Sequence, residues 1–256
     1  MIHIGTSGFS YDHWRGAFYP AGSRGREFEH YASMFETVEL NVTFYRMPSE
    51  AAFRTWAREA PDDFVFAVKA SRYITHVKRL LDPEQPVAFL VQRARLLGEH
   101  LGPILLQLPP DMPLDLGRLR ATLDAFPAGL RIAVEPRHAT WFVDETRELL
   151  TAYGAALCWA DRRGPITPLW RTAEWGYVRF HHGRASPRPC YGEESLVTWA
   201  TRIEEAWGRS ADVYAYFNND HRACALRDAA AFAQLVNRSG LEPVRTIPID
   251  DSVLVR

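Results

Sequence analysis

The stretch TVELNVT, residues 37–43, alternates apolar Val38, Leu40 and Val42 with polar Glu39, Asn41 and Thr43. Successive side chains of a strand point to opposite faces, so one face packs on hydrocarbon while the other carries a carboxylate, an amide and a hydroxyl. A strand of this kind suits a parallel barrel, with helices covering the outer face and the polar set lining a lumen.

Working outward, seven further apolar runs alternate with helical patterns: Ile2 to Gly5, Phe64 to Ala70, Ile104 to Leu108, Leu130 to Glu135, Ala156 to Asp161, Tyr177 to His181, and Val213 to Phe217. Helices are predicted over 82–98, with Asp82 as N-cap and Pro83 at the first helical position, and over 49–60, opened by Pro48 and Ser49. Leu196, Trp199, Ile203 and Trp207 mark the buried face of another, and one over 225–238 stops at Gly240. Eight strand–helix units without a break in composition predict one TIM-like (β/α)8 barrel over 1–256, with its core at about 2–238 and a tail at 241–256. The sixth crossover, RRGPITPLWRTAEW (162–175), has two prolines and little periodicity, so it reads as a loop.

The chain has 256 residues, 47% hydrophobic, with 30 basic against 31 acidic side chains. That composition excludes disorder and collagen-like repeats, and a net charge of −1 provides no overall basic field, so attraction for anions has to be local. The N-terminus lacks the features of a secretory signal, and no segment approaches the ~18 apolar residues of a membrane span. Cys158, Cys190 and Cys224 are widely spaced without a CxxC pair, and they indicate neither a disulfide framework nor a zinc site. These features lead to the expectation of a cytoplasmic monomer with no membrane partner.

Parity then sorts the lumen. It turns inward His3, Ser7, Glu39, Asn41, Thr43, Val65, Ala67, Lys69, Gln107, Ala133, Glu135, Arg137, Asp161, Tyr177, Arg179, His181, Tyr214, Tyr216 and Asn218, and it sends Cys158 toward the helices. Polar groups thus converge near the C-terminal strand ends, where barrel enzymes keep their active sites and a purely structural lumen would use branched aliphatics. A self-satisfied salt-bridge plug is the competing account.

Several motifs in order, IGTSGFSYDHWRGAFYP, VELNVTFYRMPS with Trp56, FAVKA with Thr75-His76, LLQLPP, AVEPRHATW, the lone Asp161, YVRFHHG and YAYFNND, closely resemble the YecE-like family, also called domain of unknown function seventy-two. The resemblance runs from residue 2 to about residue 235 and implies a TIM-like barrel but no particular activity. One departure is His181-His182-Gly183, where members often have a single His before the Gly.

For the chemistry, Glu39, Glu135 and Asp161 are the candidate acid and base, with Lys69 and His181 as partners. Lys69 and Lys78 are the only lysines, which hints that Lys69 answers a need for a compact or deprotonatable amine; an ion pair with Glu39 explains it as well. Arg137 and Arg179 suit an anion, and Ser7, Asn41, Tyr45, Arg46, Gln107, His138, Asn218 and Asn219 are further candidate binding residues. Arg72 and Arg162 also fall at the rim, with Tyr11, Trp14, Phe44, Trp141 and Trp170 as aromatic surfaces, and the Gly5–Gly8 turn offers N–H groups to an anion. No cofactor is expected. A divalent metal held by the carboxylates and His181 is the alternative, opposed by Lys69, Arg137 and Arg179. The expected partner is an anionic, phosphate-bearing small molecule or nucleotide handled by acid–base chemistry. The alternatives are a nucleic-acid-binding barrel without turnover and a metal-dependent isomerase- or nuclease-like enzyme.

Overall fold

A computed structural model describes residues 1–20 and 22–238; Gly240 and the tail at 241–256 lie outside the described residues. Among the described residues nine parallel strands form one sheet: β1 (Ile2–Ser7), β2 (Thr37–Leu40), β3 (Val65–Lys69), β4 (Leu101–Gln107), β5 (Ile132–Glu135), β6 (Ala156–Leu157), β7 (Trp159–Asp161), β8 (Gly176–Phe180) and β9 (Val213–Phe217). Their order is β6-β5-β4-β3-β2-β1-β9-β8-β7, and β6 and β7 are two halves of the expected sixth strand, divided at Cys158. The result is a nearly closed barrel wrapped by helices.

The division has a physical account. β6 pairs with β5 and β7 with β8, so each half lacks a neighbour on its other side. The sixth crossover has no helix, as expected, and its threonines supply the missing partners. Thr172 Oγ1 accepts from Leu157 N (2.7 Å) and donates to Ala155 O (2.7 Å). Thr167 Oγ1 accepts from Ala160 N (2.9 Å) and donates to Cys158 O (3.3 Å). Buried backbone groups left unpaired would each cost roughly 1–3 kcal/mol, which explains buried threonines in an otherwise irregular segment.

Two apolar layers follow the parity of the strands. Ile4, Val38, Leu40, Phe66, Val68, Ile104, Leu106, Val134, Val178, Phe180 and Phe217 pack under the helices. Inside, Ala67, Leu105, Ala133, Ala156, Cys158 and Ala160 stand with Tyr177, Tyr214 and Tyr216. Small residues from β3 and β5–β7 leave room for long side chains from β8 and β9, which is how a narrow lumen fills without voids.

The helices are α1 (Glu27–Met34), α2 (Val42–Tyr45), α3 (Glu50–Glu59), α4 (Glu84–Ala94), α5 (Leu116–Asp124), α6 (Asp144–Ala152), α7 (Glu193–Trp207) and α8 (Cys224–Arg238). Ser49 caps α3 by accepting from Ala52 N, and Leu196, Trp199, Ile203 and Trp207 of α7 are buried. The expected helix at 82–98 is shorter. α4 starts at Glu84, because Asp82 has φ +43° and pairs with Lys78 instead of capping.

Three further expectations are corrected. β2 ends at Leu40: Asn41 is already in the right-handed helical region, and Thr43 Oγ1 donates toward Leu40 O and Lys69 O (both 2.7 Å), turning the chain into α2. Val42 is therefore 46% exposed instead of packed under a helix. Cys158 faces the lumen, the reverse of its expected side. Cys190 and Cys224, which the sequence left unpaired, form a disulfide (Cα–Cα 4.9 Å) that ties the loop after β8 to the start of α8. The spacing of 34 residues gave no sign of this pairing. Among the described residues, no helix is long and apolar enough to cross a membrane.

Candidate functional site

Arg179, on β8, points into the lumen with no exposed surface and joins two carboxylates that are equally buried. Its Nη1 donates to Glu135 Oε2 (2.6 Å) and its Nη2 to Glu39 Oε1 (2.8 Å), with Ser7 Oγ 3.3 Å from Nη2. Glu39, on β2, also accepts from Ser7 Oγ (2.5 Å) and from Tyr177 OH (2.6 Å). Glu135, ending β5, accepts from Gln107 Nε2 (2.9 Å) and from Arg137 Nε and Nη2 (3.3 Å each). A guanidinium has a planar fork of donors, so one arginine can serve two carboxylates on opposite walls of the lumen.

Burial alone would raise both carboxyl pKa values. Arg179, Lys69 and the hydroxyls of Ser7 and Tyr177 reverse that for Glu39, leaving it below the usual range. Arg179, His181 and Arg137 hold Glu135 well below it. Burial lowers the Arg179 pKa, but Glu39 and Glu135 outweigh it and keep the guanidinium charged. Both carboxylates are thus ionised, and each has its charge matched within the lumen floor.

Two titratable groups lie above this floor. His181 Nε2 is 3.2 Å from Glu135 Oε1, and Asn218 Nδ2 donates to Nδ1 (2.9 Å), which leaves the proton on Nε2. Burial and Arg179 lower the His181 pKa against the pull of Glu135, so the imidazole is neutral at pH 7. Lys69, ending β3, is 7% exposed, and its Nζ sits 4.2 Å from the Phe44 ring centroid. No Lys69–carboxylate ion pair within 4.0 Å is found among the described residues, so the expected pairing with Glu39 is not made; the Glu39 oxygens are occupied by Ser7, Tyr177 and Arg179. Burial, then Arg179, brings the Lys69 pKa down to about 8, while Glu39 and Glu135 act in the opposite sense.

Around this floor the rim is basic. His76, on the single π-helical turn Tyr73–Val77 after β3, places its ring 4.9 Å from Phe44 and has its pKa lowered by burial, Lys69, Arg137 and Arg72. Arg162 donates to Arg137 O (3.3 Å). His76 was absent from the expected site residues, although the Thr75-His76 pair just beyond the Lys69 strand was a usable signal.

Ser7, Glu39, Lys69, Gln107, Glu135, Arg137, Arg179, His181 and Asn218 are therefore brought together. Asn41 sits half-buried at the rim, its Oδ1 buried without a partner among the described residues. Asp161 is not part of the group. It stands on the outward face of β7 and accepts from Trp199 Nε1 of α7 (3.0 Å), the acceptor that a buried indole requires. Asn219 is buried away from the mouth, donating to Pro189 O (3.0 Å) and Asp228 Oδ2 (2.6 Å). His138 accepts from Thr140 N of its own turn (3.3 Å). Tyr45 is 76% exposed, and Arg46 is exposed beside it.

The Gly5–Gly8 turn offers no free cradle, since Thr6 N donates to Tyr31 OH (2.9 Å) and Gly8 N to Glu39 O (2.8 Å). Trp14 and Trp141 are fully buried and do not line the mouth. His3 bonds Glu36 (3.1 Å) and stacks on Tyr214 toward the other end of the barrel, apart from Ser7. Among the described residues no three His, Cys, Asp or Glu side chains converge as metal ligands, and the Glu39 and Glu135 oxygens already face Arg179.

Residues 3–250 match the family described as Protein of unknown function DUF72. The UPF0759 protein YecE of Escherichia coli K12 is 30% identical over 149 residues, 58% of this chain and 53% of that protein, so this match spans about half of YecE. The UPF0759 protein YunF of Bacillus subtilis 168 is 25% identical over 279 residues, covering 95% of this chain and 98% of that one. A crystal structure of a DUF72 family protein from Thermotoga maritima MSB8 superposes with a TM-score of 0.81 at 29% identity, covering 93% of this chain and 99% of the other. The chain belongs to the DUF72 family, and its barrel is the fold of that family's solved structures.

Proposed function

We propose that this DUF72 family member binds an anionic, phosphate-bearing small molecule or nucleotide at the C-terminal mouth and transforms it by proton transfer. The observation that carries this reading is the imbalance of charge. Arg179 and Arg137 together balance the two carboxylates Glu39 and Glu135, so Lys69, with no carboxylate within ion-pair distance among the described residues, carries the one excess positive charge when protonated. Arg137, paired with Glu135 but 30% exposed at its side chain, adds a guanidinium that an anion can reach. In a site largely closed to water such charges act more strongly than in bulk solvent.

Lys69 and His181 suit proton transfer better than the carboxylates. A general acid or base works best with a pKa near the ambient pH, which Lys69 at about 8 meets and Glu135, held well below its usual range, does not. In this reading Glu135 orients His181, Glu39 and Arg179 balance charge, and Arg137 holds the anion. Thermal unfolding with inorganic phosphate, pyrophosphate and nucleoside phosphates tests it. A rise in Tm that Arg137→Leu removes supports the reading; no rise with any of these anions overturns it.

A nucleic-acid-binding barrel without turnover is the second reading, favoured by exposed Tyr45 beside Arg46 at the basic rim. It predicts affinity for single strands that falls steeply with salt and depends on Tyr45 but not on Lys69.

A further inference from the structure

We propose that Lys69 is an amine nucleophile that condenses with the carbonyl carbon of a small phosphate-bearing aldehyde or ketone, its Nζ standing over the Phe44 ring at the mouth with no carboxylate to hold it. The proposal rests on the anion-binding reading and names the reacting group of its ligand.

Three observations converge on this residue. The chain has two lysines among 30 basic residues, so 30 − 2 = 28 are arginine, whose guanidinium does not deprotonate in proteins. Lys69 is an exception placed at the end of a barrel strand. Burial and the positive charge of Arg179 beneath favour the neutral amine and bring the Lys69 pKa down to about 8, although the Phe44 face at 4.2 Å attracts the ammonium form. Glu39, on the neighbouring strand, is saturated by Ser7, Tyr177 and Arg179. Lys78 is the built-in contrast, a surface lysine 3.0 Å from Asp82 and held protonated by that carboxylate.

The step balances without any redox partner. The Nζ lone pair attacks the carbonyl carbon, the carbonyl electron pair passes to oxygen, and one Nζ proton moves to that oxygen through water, giving a neutral carbinolamine. The carbinolamine then loses water, and a C=N bond joins Nζ to the former carbonyl carbon. Arg137 would hold the phosphate of the same molecule.

The test incubates the full chain at pH 8 with glycolaldehyde phosphate and with glycolaldehyde, reduces with sodium borohydride, and maps adducts by peptide mass spectrometry. Lys69 is expected to carry the reduced adduct at least about tenfold over Lys78, despite its lower exposure, because far more of it is neutral at that pH. Equal labelling of the two lysines, or labelling of Lys78 alone, overturns the proposal. Lys69→Arg is expected to lose the adduct with an unchanged Tm; should that variant not fold, the ratio between the two lysines in the natural chain decides. Inorganic phosphate separates the two readings. If it raises Tm and Lys69 stays unlabelled, the amine proposal fails while anion binding stands. If Lys69 is labelled equally by both aldehydes and phosphate neither competes nor raises Tm, the nucleophile stands and the anion reading fails.

Discussion

Arg179 Nη1 lies 2.6 Å from Glu135 Oε2, and neither side chain has exposed surface. Because Arg179 also holds Glu39 at 2.8 Å, removing it leaves two buried carboxylates without their main counterion. Breaking a buried pair costs about 3–5 kcal/mol, so Arg179→Met is expected to lose at least that much in urea unfolding or to fail to fold. Arg179→Lys, with no fork to span both carboxylates, should fall between the two. Wild-type stability in Arg179→Met would show that the pairing does not hold the lumen together.

Asp161 and Glu135 separate placement from polarity. Asp161→Asn is expected to lose about 1–2 kcal/mol of stability through its weakened bond with Trp199, while phosphate binding at the mouth stays unchanged. Glu135→Gln should instead shift the pH profile of any activity, because Glu135 faces the proton-bearing nitrogen of His181. An activity lost equally in both variants would return Asp161 to the site.

Thr172 stands in for a missing strand. Thr172→Val keeps the volume but strands Leu157 N and Ala155 O, and a loss of about 1–3 kcal/mol in chemical unfolding is expected. A change below about 0.5 kcal/mol would mean that the sixth strand finds its partners elsewhere.

The pH dependence of stability has two opposed parts. Glu39 and Glu135 have folded pKa values below the usual carboxylate range, so their contribution is present above the unfolded value and is lost as pH falls through the folded ones. Asp228 is raised to about 6 by burial, against its bonds to Tyr191 N and Asn219, so its contribution is present at low pH and is lost as pH rises through about 6. Between about pH 4 and 6 the natural chain should therefore lose stability relative to Asp228→Asn, measured by urea unfolding of both. A constant difference across that range would contradict the assignment.

Much of this was legible in the sequence where strands are regular. In β2, β3, β5 and β8 alternation places Glu39, Lys69, Glu135 and Arg179 in the lumen, and the eightfold repetition of strand and helix gives the barrel. Reading failed where a strand is interrupted or where polarity misled. Asn41 lies beyond a strand that the Thr43 hydroxyl terminates, a contact that alternation cannot express. In the sixth strand size was the better guide. Ala156, Cys158 and Ala160 fit the narrow lumen, whereas Trp159 goes outward onto Trp207 (4.3 Å), taking Asp161 with it. The Cys190–Cys224 disulfide and the anchoring of Asn219 join segments whose proximity exists only in the folded chain.

A calorimetric titration with inorganic sulfate, a phosphate mimic whose own charge is constant between pH 6.5 and 9.5, tests the cationic mouth most directly. Affinity is predicted to fall on the order of tenfold as pH rises through about 8, where Lys69 loses its proton, and to be weak and flat across that range in Lys69→Met. Sulfate binding that is equal in the two proteins, or indifferent to pH across that range in the natural chain, would contradict a cationic mouth centred on Lys69.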